Sequence, residues 1–467
     1  MDLAIKNCKI VNPKGTISAG IGIQGDKIVA IADDKYLPSA DKTIDAKGKY
    51  VIPGLVDEHC HEDMPAQLGW VSLEKCYTME TSAAVIGGIT TICPMGMGPS
   101  IIDYYENTKP VIEKGSLCDV AIQFLASSEN HIKELPKCPD VGILTIGESG
   151  GYKPAKMAAS SAISKVAQEY IDDGRMFLFM EGIAKFGPPG RFLLHAENID
   201  IILEILERVK AEGRKDSAAW TAARPAWCEA EKLQTYCYIS KATGCPILIV
   251  HNTCKEAVEV IRRAKSEGVD IVGESCPQYL THTKNDFANY PQICNVNPPM
   301  RDKEDIEALW EGIQDGTIET IGSDHAPWRK VDKGDNIMTS VMGVGNVQST
   351  MLPAVITYGV NKGRITMEKL VEVCCYNPAK YMGLLPQKGT ISVGADADIV
   401  IIDMEKKKVP KSVDMYSISD LNLYEIAGAA LQGWPALVML RGNVVAEDGK
   451  AVGKLGYGKY VPRKKAK

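Results

Sequence analysis

The stretch Val51-Ile-Pro-Gly-Leu-Val-Asp57-Glu-His59-Cys60-His61 decides the fold. It begins as a short apolar strand and ends in polar residues. Side chains of a strand alternate between its faces, so His59 and His61 should project from the same face and Cys60 from the other, in the packing. Two imidazoles fixed at a strand end suit a divalent metal ion, because neutral histidine nitrogen is a common ligand. Such a pair can equally be two satisfied or solvated histidines, so the other strand ends matter.

Seven further strand-like runs follow, separated by helical patterns in which apolar residues recur every three or four positions. The runs are Thr90–Pro94, Val120–Leu125, Gly142–Ile146, Phe192–His195, Pro246–His251, Val269–Glu274 and Glu319–Asp324. With the first strand they give eight strands in alternating β/α order. This order predicts an α/β fold, a (β/α)8 TIM-like barrel, in preference to an open doubly wound sheet.

The two ends of the chain have a different, all-β pattern. Short β-like runs separated by Gly, Pro and Asn turns fill residues 1–52, and matching runs return at 389–403 and 436–445. We expect both termini to form one small β-sandwich domain, made of residues 1–52 and 386–467. Residues 53–385 would then form the inserted barrel.

The composition is that of an ordinary globular protein. The 467 residues carry a net charge of −6, which gives no electrostatic reason to expect nucleic acid or an anionic membrane as a partner. No apolar run reaches the length of about 18 residues needed to cross a membrane, and the first residues lack a secretion signal. The fourteen cysteines include no Cys-x-x-Cys pair, which suits buried, reduced thiols. We therefore expect a cytoplasmic protein.

The positions of the histidines favour a metal site. Five of the seven stand at or just after the carboxyl end of a predicted strand, namely His59, His61, His195, His251 and His325. Asp324 closes the last strand. In a barrel these strand ends meet on one face, where active sites are built. Histidines satisfied one by one through local hydrogen bonds would not concentrate there.

Several motifs of the chain resemble those of the amidohydrolase superfamily. They are Pro53-Gly-Leu-Val-Asp57-Glu-His59-Cys-His61, His195-Ala-Glu-Asn198, His251-Asn-Thr-Cys254, Gly273-Glu-Ser-Cys-Pro-Gln-Tyr-Leu280, Asn297-Pro-Pro-Met-Arg301 and Gly322-Ser-Asp-His-Ala-Pro327. Within it, the chain is most similar to the cyclic-amide hydrolases, that is, hydantoinases and dihydropyrimidinases, with dihydroorotases and allantoinases as near relatives. The segment Ser419-Asp-Leu-Asn-Leu-Tyr-Glu425 looks most like the hydantoinase branch.

This resemblance implies a metal centre. His59, His61 and Asp324 would hold one divalent ion, and His195 and His251 would hold a second. Zinc is the first expectation, with manganese, iron or cobalt as alternatives. The ions would lower the pKa of a bridging water and polarise the substrate carbonyl. Asp324 would carry the proton from the attacking hydroxide to the leaving ring nitrogen.

The chain departs from the family at one position of this centre. Relatives usually carry, on the fourth strand, a lysine carboxylated by carbon dioxide that bridges the two metals, and here Gly147 stands at its place. Glu148, one residue on, offers a carboxylate and is the favoured replacement. Lys153 or Lys156 could serve if the loop shifts the register, and a site with one metal is a third option.

The resemblance also implies substrate contacts. Tyr152 falls where the family places a tyrosine that donates to the developing oxyanion, although it could equally be loop packing. Asn297 stands where hydantoinases often have a serine that contacts the ring amide. Arg301 could bind an anionic substituent or form a salt bridge. Asn346, in Gly343-Val-Gly-Asn346-Val, could lie on a segment that contacts the ring amide, or in an ordinary glycine-rich loop.

The resulting expectation is an enzyme that opens a cyclic amide or ureide ring, of hydantoin or dihydropyrimidine type, and that forms a homotetramer or dimer. An allantoinase-like or dihydroorotase-like hydrolase is the alternative within the same chemistry. A third alternative is a non-catalytic scaffold, because some dihydropyrimidinase-related proteins have lost their metals. Those relatives lose metal-binding histidines, whereas the histidines expected to bind metal are all present here.

Overall fold

The computed structural model describes residues 1–153 and 169–465. Its strands are β1 (Leu3–Asn12), β2 (Gly15–Gln24), β3 (Lys27–Ala32), β4 (Lys42–Asp45), β5 (Tyr50–Pro53), β6 (Leu55–Cys60), β7 (Ile89–Gly96), β8 (Asp119–Val120), β9 (Gln123–Phe124), β10 (Thr145–Ser149), β11 (Arg191–Leu194), β12 (Ile247–Ile249), β13 (Ile271–Ser275), β14 (Ile318–Ile321), β15 (Ile399–Lys408), β16 (Leu431–Leu440), β17 (Asn443–Glu447) and β18 (Lys450–Ala451).

Its α-helices are α1 (Met64–Gln67), α2 (Leu73–Ile86), α3 (Ile101–Gly115), α4 (Glu129–Glu134), α5 (Asp173–Ala184), α6 (Ile199–Ala211), α7 (Ser217–Ala223), α8 (Ala226–Thr243), α9 (Lys255–Ser266), α10 (Pro277–Thr281), α11 (Lys303–Asp315), α12 (Lys330–Lys333), α13 (Gln348–Val355), α14 (Met367–Val371), α15 (Asn377–Tyr381) and α16 (Leu423–Ile426). Several begin at a side chain that accepts a hydrogen bond from the first helical turn. These caps include Ser72, Ser100, Asp172, Asn198 and Asp216. Among the described residues, no helix combines the length and apolarity of a membrane span.

Strands β6 to β14 form the barrel. They pair in parallel as two groups, β6–β7–β8 with β9 also beside β7, and β10–β11–β12–β13–β14. The last and first strands meet at their carboxyl ends, where Asp324 N donates to His59 O and His61 N donates to His325 O, each at 2.8 Å. The predicted TIM-like barrel is confirmed, and its third predicted strand is divided into β8 and β9.

The fourth barrel strand begins later than the sequence predicts. The expected run started at Gly142, but Gly142 ends the 3-10 turn Leu135–Val141 in a left-handed conformation, with φ of 80°. Strand β10 therefore starts at Thr145. This shift places Gly147 and Glu148 inside the strand, at its carboxyl end.

The small β domain contains strands from both ends of the chain. Strand β5 pairs in parallel with β1 and antiparallel with β15, as in the pair Val400↔Ile52. Its strands form one continuous sheet in the order β18-β17-β16-β15-β5-β1-β2-β3, with β4 also beside β1. Ile5, Ile10, Ile21 and Ile399 lie in its core. The domain limits 1–52 with 386–467, and 53–385, stay a prediction, which this pairing supports.

A buried cluster of charges lies between the barrel and the small domain. Lys388 Nζ lies 2.5 Å from Asp119 of β8, 2.9 Å from Asp396 and 2.8 Å from Asp398. Arg441, in the turn after β16, also donates to Asp119. Buried carboxylates are tolerated where cations pair with them. The cluster therefore fixes the carboxyl-terminal strands against the barrel wall.

Candidate metal centre and active site

The metal-binding side chains expected from the sequence meet at the carboxyl end of the barrel. They are His59 in β6 and His61 just after it, Glu148 in β10, His195 after β11, His251 after β12 and Asp324 after β14. All six are buried. Because parallel barrel strands end on one face, residues far apart in sequence are brought together.

One half of the cluster has the spacing of a metal site. His59 Nε2 and His61 Nε2 each lie 3.5 Å from Glu148 Oε2 and 3.5 Å from Asp324 Oδ1. These distances are long for hydrogen bonds, but ligand atoms bound about 2.1 Å from a tetrahedral ion are about 3.4 Å apart. His59 Nε2 is buried without a hydrogen-bond partner. The residues therefore fit a divalent ion.

The orientation of His59 is fixed from behind by Glu274. His59 Nδ1 lies 2.7 Å from Glu274 Oε1, both side chains being fully buried. A proton on Nδ1 that is donated to this carboxylate leaves the lone pair on Nε2, the atom that faces the cluster. Carboxylates behind metal-binding histidines commonly fix the tautomer in this way.

In the other half of the cluster, two histidines contact the second carboxylate oxygen of Glu148. His195 Nδ1 and His251 Nε2 each lie 2.7 Å from Glu148 Oε1, which is hydrogen-bond distance. Burial alone would raise the pKa of Glu148, but the neighbouring histidines, His251 foremost, hold it well below its ordinary value. One ionised carboxylate thus faces two histidine pairs, one pair with each oxygen.

His195 also has a partner behind it. Its Nε2 lies 2.7 Å from Glu197 Oε2, and Arg224 Nε donates to Glu197 Oε1 at 3.0 Å. Burial raises the pKa of the Glu197 carboxyl, but the charges and hydrogen bonds of Arg224 and His195 together lower it more. The resulting pKa lies well below the ordinary range of a glutamate. Glu197 therefore stays ionised and orients the His195 ring towards Glu148.

Arg301 lies in this same buried network. Its Nη2 donates to Glu229 Oε2 at 3.2 Å, its Nη1 to Arg224 O at 2.5 Å and its Nε to Thr253 Oγ1 at 3.0 Å. It does not line the pocket. Of the two interpretations of Arg301, the structure therefore favours the salt bridge.

No side chain can be accommodated at position 147. Gly147 has a φ of 135°, and a Cβ added there would lie 2.3 Å from Leu193 O of the neighbouring strand. The main chain of β11 thus occupies the space that a lysine stem would need. Glu148 instead extends into the cluster from the next position.

The two alternative lysines differ in what the structure describes. Lys153 Nζ lies 2.5 Å from Asp200 Oδ1 and 4.3 Å from the ring centre of Tyr170. Its amine is thus paired with a partly exposed carboxylate. Lys156 lies outside the described residues.

Asp324 is held by both of its chain neighbours. Ser323 donates to Asp57 through its main-chain N at 2.9 Å and through its Oγ at 2.6 Å. His325 Nε2 lies 2.9 Å from Glu80 Oε2. Because both neighbours are fastened below the cluster, Asp324 takes a left-handed conformation with φ of 50° and faces the histidines. His325, the fifth histidine at a strand end, is therefore a support of the site.

A pocket opens above the cluster. Its lining residues are His61, Met64, Met97, Leu125, Glu148, Tyr152, His251, Asn297, Asp324, Ala326, Met342 and Gly343. Tyr152 Oη lies 3.4 Å from His195 Nδ1. Asn297 Nδ2 donates to Met342 Sδ. The predicted substrate residues Tyr152 and Asn297 thus face the same space as the cluster.

Asn346 lies behind the pocket wall. Its Nδ2 donates to Ser419 O at 2.9 Å and to Leu421 O at 2.7 Å. The side chain is fully buried in these contacts. It fixes the carboxyl-terminal segment against the loop that carries Gly343.

Comparison with known proteins places the chain in a family. Residues 226–445 match the Amidohydrolase family. The L-hydantoinase of Paenarthrobacter aurescens is 35% identical, with 99% of this chain and 98% of that protein aligned. An allantoinase of Escherichia coli (strain K12 / DH10B) is 30% identical, with 95% of each chain aligned. The solved structure of "L-Hydantoinase (Dihydropyrimidinase) from Arthrobacter aurescens" is 34% identical, covers 99% of this chain and 100% of its own, and has a TM-score of 0.90.

This chain belongs to the amidohydrolase family. Its similarity to hydantoinases extends over nearly all of both chains, so the resemblance recognised in the sequence motifs is confirmed. The allantoinase match agrees with the near relatives named from those motifs.

Sequence reasoning missed the supporting and lining residues of this amidohydrolase site. Glu274 and Glu197 stand in recognised motifs, and an acid at or just after a strand end was a signal that could have identified them. Met64, Met97 and Met342 line the pocket from loops or short helices, where no periodicity marks them. Their positions depend on the fold of the whole barrel end.

We predict that Gly147→Ala strongly destabilises the protein and that Gly147→Lys does not supply a bridging group. The added Cβ would collide with the main chain of β11, which cannot move aside like a flexible side chain. The measurement is the free energy of unfolding in denaturant.

Gly187→Ala is the matched control, because Gly187 also has a positive φ, 67°, but a Cβ there meets nothing within 4 Å. The free energy of unfolding of the control should fall by only about 1–2 kcal/mol, which is the cost of placing alanine in the left-handed conformation. If Gly147→Ala and Gly187→Ala lowered the free energy of unfolding equally, the steric explanation would be wrong.

Proposed function

We propose that the protein is a metal-dependent hydrolase that opens a cyclic amide or ureide ring of hydantoin or dihydropyrimidine type. The observation that carries this proposal is the buried carboxylate of Glu148, with two histidines facing each oxygen. A group of this kind can join two ions in one centre. The similarity to hydantoinases supports the choice of substrate class.

We propose that these side chains hold a pair of divalent ions. His59, His61 and Asp324 would hold one ion, His195 and His251 the other, and Glu148 would bridge them. Zinc is the first choice, and imidazole and carboxylate ligands also suit manganese, iron or cobalt. Bound there, such ions would supply hydroxide near neutral pH and polarise the substrate carbonyl.

Asp324 is proposed to move the proton. It lines the pocket and its Oδ1 faces the space between His59 and His61. There it can accept a proton from the attacking water and return it to the ring nitrogen as the carbon–nitrogen bond breaks.

Tyr152 is proposed to donate to the carbonyl oxygen as negative charge develops there. Burial foremost, and then the charges of Glu148 and Asp324, raise the pKa of Tyr152 well above its ordinary value. The hydroxyl therefore keeps its proton at neutral pH. A donor already aimed into the site contributes most to the transition state.

The lining of the pocket favours neutral rings. Among the described residues, its lining includes no lysine or arginine, and the arginine nearest in sequence to Asn297, Arg301, is paired with Glu229. Met64, Met97 and Leu125 form an apolar wall. A carboxylate substituent on the side of the ring that faces this wall would meet no cationic side chain of the described residues, which is unfavourable. An apolar substituent would instead gain contact area.

We also propose that the protein is a cytoplasmic homo-oligomer, a dimer or tetramer. The fourteen cysteines are all buried and unpaired, which suits a reducing compartment. Helix α8 exposes Trp227 and Tyr238, and helix α5 exposes Phe177 and Leu178. Exposed aromatic and aliphatic side chains of this size are common in subunit contacts.

A substrate panel tests the proposed function. With zinc-loaded protein, we expect ring opening of hydantoin, an apolar 5-substituted hydantoin and dihydrouracil, and little or none of dihydroorotate. Allantoin discriminates the allantoinase-like alternative, which would predict faster opening of that polar ureide. If fully metal-loaded protein opens none of these rings, the enzyme proposal fails and the scaffold alternative replaces it.

Asp324→Asn should keep the fold while turnover falls by about 10²–10⁴-fold, the usual contribution of a positioned acid–base group. The asparagine has nearly the same shape but cannot accept and return a proton. Steady-state kcat and circular dichroism are the measurements. Asp335→Asn, an exposed aspartate farther along the same connection, is the control. Wild-type turnover in Asp324→Asn would remove this residue from the mechanism.

Glu148→Gln should lower the metal content per chain, because an amide does not supply the negative charge that joins two cations. Elemental analysis after reconstitution measures this content. In the wild type, the content should be the same with and without added bicarbonate, since a glutamate needs no carbon dioxide. A bicarbonate-dependent increase would instead assign the bridge to a carboxylated Lys153 or Lys156. One ion per wild-type chain would indicate the single-metal alternative.

A further inference from the structure

A fully buried lysine lies behind the pocket wall. Lys333 is the last residue of the one-turn helix α12, and its side chain has no exposed surface. Its Nζ donates to Asn295 O at 3.0 Å and to Val341 O at 2.9 Å. Among the described residues, no carboxylate lies within salt-bridge distance of this amine. Both of its partners are main-chain carbonyls.

These two carbonyls belong to two separate segments of the pocket wall. Asn295 precedes Asn297, and Val341 precedes Met342 and Gly343, so each segment contributes lining residues. Gly343 N donates to Asn295 O at 3.0 Å. The carbonyl of residue 295 therefore accepts hydrogen bonds from the amine and from the opposite segment at once.

The side chain of Asn295 completes the connection. Its Nδ2 donates to Ile337 O at 2.6 Å and to Ser340 O at 3.3 Å. With Lys333, it fastens the whole connection 334–343 to the segment that carries Asn297. Residues 334–343 have no regular strand or helix of their own. Their position depends on these side-chain contacts.

We propose that Lys333 is a positioning residue for substrate binding, because it holds the two wall segments at the separation that the ring of the substrate requires. The proposal rests on the proposed function, since the wall is taken to contact the ring amide. Lys333 touches neither the metal ligands nor the pocket space. Its effect on the reaction would pass through Asn297, Met342 and Gly343.

The chemistry of lysine suits this position. Its long, flexible stem reaches two carbonyls, and the head group has several donors. Burial lowers the pKa of Lys333 to about 7. A neutral amine still has two N–H groups, one for each carbonyl, so the connection does not require the charge.

Removal of the amine should leave the fold intact. Asn295 O keeps its bond from Gly343 N, and Val341 O keeps its bond from Ser340 Oγ at 3.2 Å. Neither carbonyl would then be buried without a partner. The two wall segments would stay connected through Gly343 N and Asn295 Nδ2, but they would lose the contact of Lys333 with both carbonyls and their separation would vary more.

Lys333→Met tests the proposal against Lys330→Met, an exposed lysine on the same helical turn. With hydantoin and dihydrouracil as substrates, Lys333→Met should raise KM about tenfold while kcat stays within about threefold, the pattern of a lost binding interaction. Metal content should be unchanged. Lys330→Met should behave like the wild type. Lys333→Gln, which keeps a shorter donor, should give an intermediate KM.

Hydrogen exchange supplies a readout that does not need turnover. The amides of residues 334–344 should exchange faster in Lys333→Met than in Lys330→Met. Unchanged exchange would overturn the connection itself. Faster exchange with wild-type KM, or a fall of kcat together with metal content, would overturn the role in substrate positioning. If the wild type opens no ring, the proposed function fails. The exchange result then still decides whether Lys333 holds the connection 334–343 in place.

Discussion

The central constraint on this structure is a single ionised carboxylate buried among four imidazoles. A charge of this kind is unfavourable in a protein interior unless opposite charge or hydrogen-bond donors surround it. Glu148 meets this requirement with one oxygen towards His59 and His61 and the other towards His195 and His251. The closed end of the parallel barrel brings these four residues, from the three strands β6, β11 and β12, within reach of one side chain.

The precision of this cluster comes from residues behind it. Glu274 orients His59, Glu197 orients His195, and the bonds of Ser323 to Asp57 orient Asp324. Each of these supports is itself buried and bonded. The barrel end therefore behaves as a preorganised polar site within an apolar frame, which is what differential stabilisation of a transition state requires.

The sequence alone was sufficient for the fold and for most of the cluster, for a physical reason. Apolar strand runs and helical periods are local signals, and histidines at the carboxyl ends of parallel barrel strands come together because those ends meet on one face of the barrel. Glu148 was harder to assign, because local pattern does not show that β10 begins at Thr145 or that Leu193 O excludes a side chain at Gly147. The roles of Arg301 and Asn346 were also beyond reach. Their partners, Glu229 and Ser419, are distant in sequence, and no sequence pattern indicates that they contact Arg301 and Asn346.

The small domain has a consequence for synthesis on the ribosome. Strand β5 emerges early, but its neighbour β15 is made only after the whole barrel. Until then the β5 edge presents unpaired main-chain N–H and C=O groups, which can pair with a strand of another chain. The nascent chain must therefore carry an open sheet edge through the synthesis of its largest domain, until β15, the first of the four carboxyl-terminal strands, covers it.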